Sequence, residues 1–325
     1  MDAGVRRDQL LHRRRSDRWR RWGARHTRRS ALPVGEVAVP SLTPLIIVLA
    51  GVLGLLIGSF LNVVAYRVPA GISLLRESRC PHCGAEVKPW QNVPVLSWMA
   101  LRGRCANCDA GIAARYPVVE AATAVAFAIV AWWALTVGFD GVSSSFARSA
   151  TASTAEAWSL GILTVAFLYF AAISIVLTLI DLDTHRLPNA IVLPSYLVGG
   201  ILLSTASWLS GDAAALLRGA IGMVALYVFY FVLRLVRPGG MGGGDVKLAG
   251  VIGLHLGYVG WGALVVGAFG AFLLGGVFGV ALILLRRAGR KTAIPFGPWM
   301  LAGAWMGIFA GEAIARGYLG LFAPV

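Results

Sequence analysis

Charge is scarce in this chain, and acidic charge is scarcest. Only 14% of its 325 residues are charged, while 58% are hydrophobic. A soluble domain carries about 25% charged residues. Of fifteen Asp and Glu residues, only Asp181, Asp183, Asp212, Asp245 and Glu312 lie beyond residue 157. That shortage excludes a soluble globular fold and places the C-terminal half in lipid. Cysteine is scarce too, with four residues, all in one loop. A secretory signal is also missing, because the first apolar stretch leads into further membrane spans.

Basic charge is plentiful but concentrated. The net charge of +14 comes largely from the first 30 residues, which hold eleven arginines. That stretch has no apolar periodicity. It reads as a disordered basic tail (1–42) touching anionic lipid headgroups, and no nucleic-acid partner is expected.

A run of about 20 apolar residues can cross a bilayer. Such runs cover Leu45–Ala65, Pro117–Phe139, Ala157–Ile180, Ile191–Leu209, Ala213–Val236, Trp261–Leu285 and Ile294–Ile314. Leu248–Tyr258 is shorter and interrupted by glycine. It counts as the sixth of about eight crossings, or as a re-entrant piece. Basic residues then fall in alternate loops: Arg67 to Arg115, Arg186, Arg237 with Lys247, and Arg286 to Lys291. The loop Asp140 to Glu156 has only Arg148. The positive-inside rule puts the basic loops in the cytoplasm. The tail conflicts with this orientation, since eight crossings would leave it outside. A start at Val34, Val37 or Val39 would remove the conflict.

The cysteines form two knuckles, Cys80-Pro-His-Cys83 and Cys105-Ala-Asn-Cys108, separated by 21 residues. A two-residue gap lets both thiolates of a knuckle face one ion, and two knuckles complete a tetrahedron, as in structural zinc sites. Two disulfides or four free thiols are the alternatives, and a reducing cytoplasmic loop disfavours the disulfides. Four thiolates close the shell, so His82 reads as a solvated spacer. The zinc is expected to hold the loop domain (67–116) together without entering catalysis.

Two aspartates lie at the ends of apolar runs, at or near membrane depth. An ionised carboxylate there is costly, so the default reading is a functional site. Asp181 ends the third run. Asp183 follows two positions later, about 200° around a continuing helix, and is expected to face solvent and pair with Arg186. Asp245 follows Pro238-Gly-Gly-Met-Gly-Gly-Gly, a flexible loop leading into a short helix. Gly242, Gly244 and Lys247 belong to that loop as candidate substrate contacts. Two acids sharing one proton in a poorly solvated place can perform aspartic proteolysis. Interfacial helix-end acids with water access, or the proton or ion relay of a transporter, are the other readings. Lys247 is expected to snorkel, His185 to be solvated, His255 to be packed or interfacial, and Glu120 to sit in a helix's first turn, where the dipole favours it.

The order of these motifs is more specific than any one of them. Gly58-Ser-Phe-Leu-Asn-Val-Val-Ala-Tyr-Arg-Val-Pro69, the two knuckles, Arg115-Tyr-Pro-Val-Val-Glu120, Ile180-Asp-Leu-Asp183 with Leu187-Pro188, and Gly242-Gly-Gly-Asp-Val-Lys247 occur in sequence. From about residue 45 onward the chain resembles the type IV prepilin peptidase family, also called leader peptidase and N-methyltransferase. Its G-x-G-D motif is shared with other intramembrane aspartyl proteases.

The resemblance implies an all-α polytopic protein of the cytoplasmic membrane, with one helix (43–66) before the zinc loop and a peptidase domain (117–325) after it. It implies cleavage of the basic leader of prepilins and pseudopilins on the cytoplasmic side, then methylation of the new N-terminus with S-adenosylmethionine. The catalytic pair carries over to Asp181 and Asp245. The Zn2+ ligands carry over to Cys80, Cys83, Cys105 and Cys108. The family often has Asp where this chain has Asn189, outside the proposed dyad. No G-x-G-x-x-G follows a strand-like run, so S-adenosylmethionine binding stands on the resemblance alone.

Overall fold

The computed structural model describes residues 42–137, 154–237, 241–285 and 295–322. The chain divides into two units, Met1–Leu42 and Thr43–Val325. Of the first unit only Leu42 is among the described residues. The expected basic tail therefore lies outside them, as do Arg148, Pro238, Gly239, Gly240 and the basic cluster Arg286, Arg287, Arg290 and Lys291.

Nine α-helices occupy the described residues of the second unit. They are α1 (Thr43–Arg67), a short α2 (Leu96–Ala100), α3 (Arg115–Thr136), α4 (Thr154–Thr184), α5 (Asn189–Ser210), α6 (Ala213–Val236), α7 (Gly243–Val259), α8 (Trp261–Leu284) and α9 (Gly297–Gly320). The eight long ones follow the eight apolar runs. Lipid offers no hydrogen bonds, so an apolar run of this length satisfies its backbone internally as a helix. Among the described residues there is no strand. The nearest approach is two isolated bridges, Arg79 with Glu86 and Arg104 with Gly111.

Six helices are long and apolar enough to cross a membrane: α1, α3, α4, α5, α6 and α8. The expected sixth crossing, α7, falls outside that set. Its 17 residues reach only about 25 Å at the helical rise, against a hydrocarbon core of about 30 Å. It is instead an interior helix, with every residue from Leu248 to Tyr258 buried. A helix apolar all round belongs inside a bundle. The last helix, α9, also falls outside the set, with Glu312 and several glycines diluting its apolar run.

Consecutive helices pack side by side, as α1 with α3, α4 with α5, α6 with α7 and α8 with α9. Helices α4 and α7 are the inner members, each touching several neighbours. They meet through aromatic rings. His255 of α7 stacks on Phe170 of α4 at 4.3 Å and meets Phe167 edge-on at 5.7 Å. His255 is thus packed, and its Nδ1 bonds the Val251 carbonyl at 2.9 Å. Small residues allow the closest approaches. A Cβ on Gly307 of α9 would lie 2.8 Å from Gly267 Cα of α8. In membranes, where lipid tails are as apolar as leucine, such backbone contact is what holds helices together.

Some buried hydroxyls are satisfied within their own helix, and others across helices, as Ser159 to the Ala206 carbonyl at 2.9 Å. Thr123, Thr164 and Ser174 donate to carbonyls four residues back, at 2.6–2.8 Å. The outward faces of α1, α6 and α8 carry exposed Leu, Val and Phe, such as Leu49, Phe231 and Phe269. That is the expected surface of a protein solvated by lipid.

Candidate functional site

Antiparallel packing brings the C-terminal ends of α4 and α6 to the same end of the bundle as the N-terminal ends of α5, α7 and α9. Both intramembrane aspartates lie at that end. Helix α4 runs past the apolar stretch to Thr184, so Asp181 sits inside its last turn. The helix stops at His185, whose φ of 54° is left-handed and whose N–H bonds the Asp181 carbonyl at 2.9 Å. This is the αL stop of a helix with no glycine available. His185 is exposed, as expected.

Asp181 is buried, with 4% of its surface exposed. Its Oδ2 accepts the N–H of Gly297, the first residue of α9, at 3.0 Å. A Cβ on Gly297 would lie 2.7 Å from that oxygen, so only glycine lets the backbone donate there. Phe296, just before it, packs with Phe272 at 5.4 Å and with Tyr230 at 6.3 Å, which seats the start of α9.

Asp245 is half-buried in the first turn of α7. Its Oδ2 reaches back to the N–H of Gly242 at 3.0 Å, the carboxylate half of a capping box. Among the described residues, each carboxylate is held through Oδ2 alone. Neither Oδ1 has a hydrogen-bond partner, and neither acid forms a salt bridge. Asp181 and Asp245, 64 positions apart in sequence, flank the same side chain: Leu187 would lie 2.8 Å from a Cβ on Gly244, next to Asp245, and 3.6 Å from one on Gly297, whose N–H holds Asp181.

Asp183 turns elsewhere, and its partner corrects the sequence expectation. It makes a two-point ion pair with Arg115 at the start of α3, at 2.7 and 2.9 Å, in place of the expected Arg186. The helix carries Asp183 to the α3 side, within reach of the guanidinium. Lys247 also differs from expectation. Its ammonium donates to Asn189 Oδ1 at 2.9 Å, which fixes it against α5. Of the loop glycines, Gly244 lies against Leu187, with 2.8 Å left for a Cβ, and Gly242 supplies the N–H that holds Asp245. Glycine composition flagged the loop. Nothing in the sequence distinguished Gly297, and Leu187 stood out only as part of the Leu187-Pro188 motif with no role attached, because both contacts depend on tertiary packing.

The four cysteine sulfurs lie within 4.8 Å of one another, and Cys80 and Cys108 are 3.8 Å apart. A tetrahedron of thiolates at about 2.3 Å from a zinc ion has edges of about 3.8 Å. The donor set therefore fits such an ion. Each knuckle closes the same way. Cys80 N bonds Ala85 O at 2.9 Å, and Cys105 N bonds Ala110 O at 2.8 Å. The left-handed position is Gly84 in the first knuckle (φ 69°) and Asp109 in the second (φ 55°).

The backbone N–H groups of Cys83 and His82 draw the Cys80 thiol down to about 6. The Ala110 N–H favours the thiolate of Cys108, yet Cys83, desolvation and the other thiols outweigh it and push Cys108 up to about 12. Four thiolates at these distances repel, and a bound cation removes that conflict. His82 is exposed, as expected of a spacer.

The loop domain is anchored from both sides. Arg67, at the end of α1, donates to the carbonyls of Ser73, Leu74, Arg76 and Glu77. Glu120 is buried and accepts the N–H of Val95 at 2.7 Å. Val95 is a β-branched residue held at a φ of 61°. Such a residue is a genuine outlier at positive φ. Helix α3 begins at Arg115, so Glu120 stands beyond the expected first turn, where it clamps the loop.

Comparison with known proteins agrees with both halves of this arrangement. Residues 52–134 match the bacterial peptidase A24 N-terminal domain, and residues 168–280 match the type IV leader peptidase family. The chain is similar to a prepilin leader peptidase/N-methyltransferase of Stutzerimonas stutzeri, 33% identical over 85% of this chain and 95% of that protein. The protein of the same description from Pseudomonas aeruginosa is 34% identical, over 85% and 94% of the two chains. The one from Neisseria gonorrhoeae is 33% identical, over 85% and 94%. No solved structure matches the chain. This multi-pass membrane protein belongs to the type IV leader peptidase family.

Proposed function

We propose that this protein is an intramembrane aspartic endopeptidase that removes the basic leader of type IV prepilins and pseudopilins, with Asp181 and Asp245 as its catalytic pair. The observation that carries this reading is the pair itself. Two acids without a salt-bridge partner among the described residues, each held through one oxygen by a backbone N–H, leave their other oxygens for a substrate and a water. The relatives' names supply the substrate class. The transporter alternative has no support in the family or in these relatives.

In the reaction the pair shares one proton. The ionised member takes a proton from water as the water oxygen bonds to the scissile carbonyl carbon. The neutral member hydrogen-bonds the carbonyl oxygen and stabilises the tetrahedral adduct. Collapse breaks the C–N bond, and the proton taken from water passes to the leaving amine. General acid–base assistance of this kind contributes typically about 10²–10⁴-fold. A prepilin carries its basic leader before a hydrophobic helix. With that helix in the bilayer, the junction lies at the interface where α4 ends and α7 begins. The basic residues Arg67 to Arg115 and Arg186 at that end support a cytoplasmic position for the junction, and with it a cytoplasmic-membrane setting for the protein.

The chain divides into the first helix (43–66), a metal module (67–116) and the peptidase domain (117–325). Zinc bound by Cys80, Cys83, Cys105 and Cys108 would cross-link the module, and four thiolates leave it no open coordination position for chemistry. Methylation of the new N-terminus rests on the relatives' names. The described residues contain no strand–glycine turn–helix cradle of the dinucleotide-binding type, and no residue is assigned to S-adenosylmethionine.

Co-expression with a prepilin tests the reading. The pilin N-terminus, read by mass spectrometry, should lack the leader and carry a methyl group. An intact leader would overturn the peptidase assignment, and a shortened, unmethylated chain would remove only the methyltransferase half.

A further inference from the structure

The two acid-bearing segments are joined by a third stretch of chain that the chemistry does not use, residues 187–196 at the turn into α5. Leu187 packs on both sides of the gap. A Cβ on Gly244 would lie 2.8 Å from Leu187 Cβ, and one on Gly297 would lie 3.6 Å from Leu187 Cδ1. Gly244 adjoins Asp245, and Gly297 holds Asp181. Asn189 accepts from Lys247 at 2.9 Å. Tyr196 donates to the Lys247 carbonyl at 2.5 Å and lies against Gly250. Three successive features of one segment thus grip the first two turns of α7.

The geometry of α7 gives this grip a direction. Lys247 and Asp245 are two residues apart, so they project about 200° from one another around the helix. Held to Asn189 on one flank, α7 cannot rotate without carrying Asp245 off the face it shares with Asp181. Unlike a salt bridge, the Lys247–Asn189 contact joins a charged donor to a neutral acceptor.

We infer that residues 187–196 form a brace that sets the rotation of α7, and that Asn189, through Lys247, is a positioning residue for Asp245. This inference rests on the assignment of Asp181 and Asp245 as the catalytic pair. Loss of the brace lets α7 rock, and small misplacements of a reacting group are costly, with about 1 Å able to remove on the order of 10²-fold in rate. The contact is exposed, so its removal leaves the buried packing of α7 intact.

The test is a double-mutant cycle on the full-length protein in membranes, with a prepilin as substrate. Asn189→Ala and Lys247→Met should each lower kcat by about tenfold at unchanged KM. Their combination should be no worse than either alone, because both remove one contact. Lys247→Arg paired with Asn189→Asp should recover most of the rate, since a guanidinium and a carboxylate rebuild the link. Wild-type kcat in Asn189→Ala, additive losses in the double variant, or no recovery in the exchanged pair would each overturn the brace. A rise in KM on Lys247→Met alone would mean that Lys247 binds substrate. Wild-type protein that does not cleave the prepilin would instead sink the peptidase reading, before the brace is in question.

Discussion

The helix bundle and the cysteine module hold themselves together by opposite means. The bundle uses glycines and aromatics at helix contacts, with several of its buried hydroxyls turned onto helix backbone. The module, between Arg67 and Arg115, has one five-residue helix, one 3-10 turn and two isolated bridges. It depends on a four-thiol cluster and on two clamps from the neighbouring helices, Arg67 and Glu120. The bundle positions its acids by packing, whereas the module gathers four thiols at one point, a donor set that fits a metal ion. A small loop domain without an apolar core needs such a cross-link, whereas helices in lipid do not.

Breaking each side should give distinct losses. The largest is expected at Gly297. Gly297→Ala places a Cβ where 2.7 Å separates it from Asp181 Oδ2. It should lower prepilin cleavage by on the order of 10²-fold while membrane insertion and metal content stay unchanged. Steady-state kinetics together with metal analysis check both. Next is Cys83→Ser, or stripping with a strong chelator. Bound metal should fall from about one ion per chain to nearly none, as for structural sites whose ligands fold with the ion. Limited proteolysis should then cut between residues 67 and 115 and spare the helices. A module equally resistant without metal would contradict the contrast.

Smaller effects follow within the bundle. Gly307→Leu drives a side chain into the α8–α9 contact and should cost about 1–3 kcal/mol. That corresponds to a thermal midpoint lower by about 5 °C, with metal retained. The smallest is expected for Asp183→Ala. Its ion pair with Arg115 is nearly half-exposed on both sides, and exposed pairs are worth about 0–1 kcal/mol. Cleavage should stay within about twofold of wild type. A dead Asp183 variant beside a live Asp181 variant would show that the wrong carboxylate had been assigned.

Much of this arrangement was legible from residue patterns. The apolar runs located the six membrane-capable helices to within four residues at either end, because a membrane span must be apolar along its whole length. The two C-x-x-C pairs identified the cluster, because ligand spacing is local. Contacts made across the fold left no such trace. The partner of Asp183 is 68 positions away in Arg115, and the donor to Asp181 is 116 positions away in Gly297. Only packing brings them together. Helix α7 was the hardest element to read, because a short glycine-rich apolar segment suits a crossing, a re-entrant piece or an interior helix equally well.

The most direct measurement compares leader cleavage by wild type, Asp181→Asn and Asp245→Asn in membranes, under matched expression and with the same prepilin. The account predicts cleavage by wild type and loss of at least about 10²-fold in each variant, with all three proteins inserted and holding metal. Processing at near wild-type rate by either single variant would contradict the claim that the two acids act as one site.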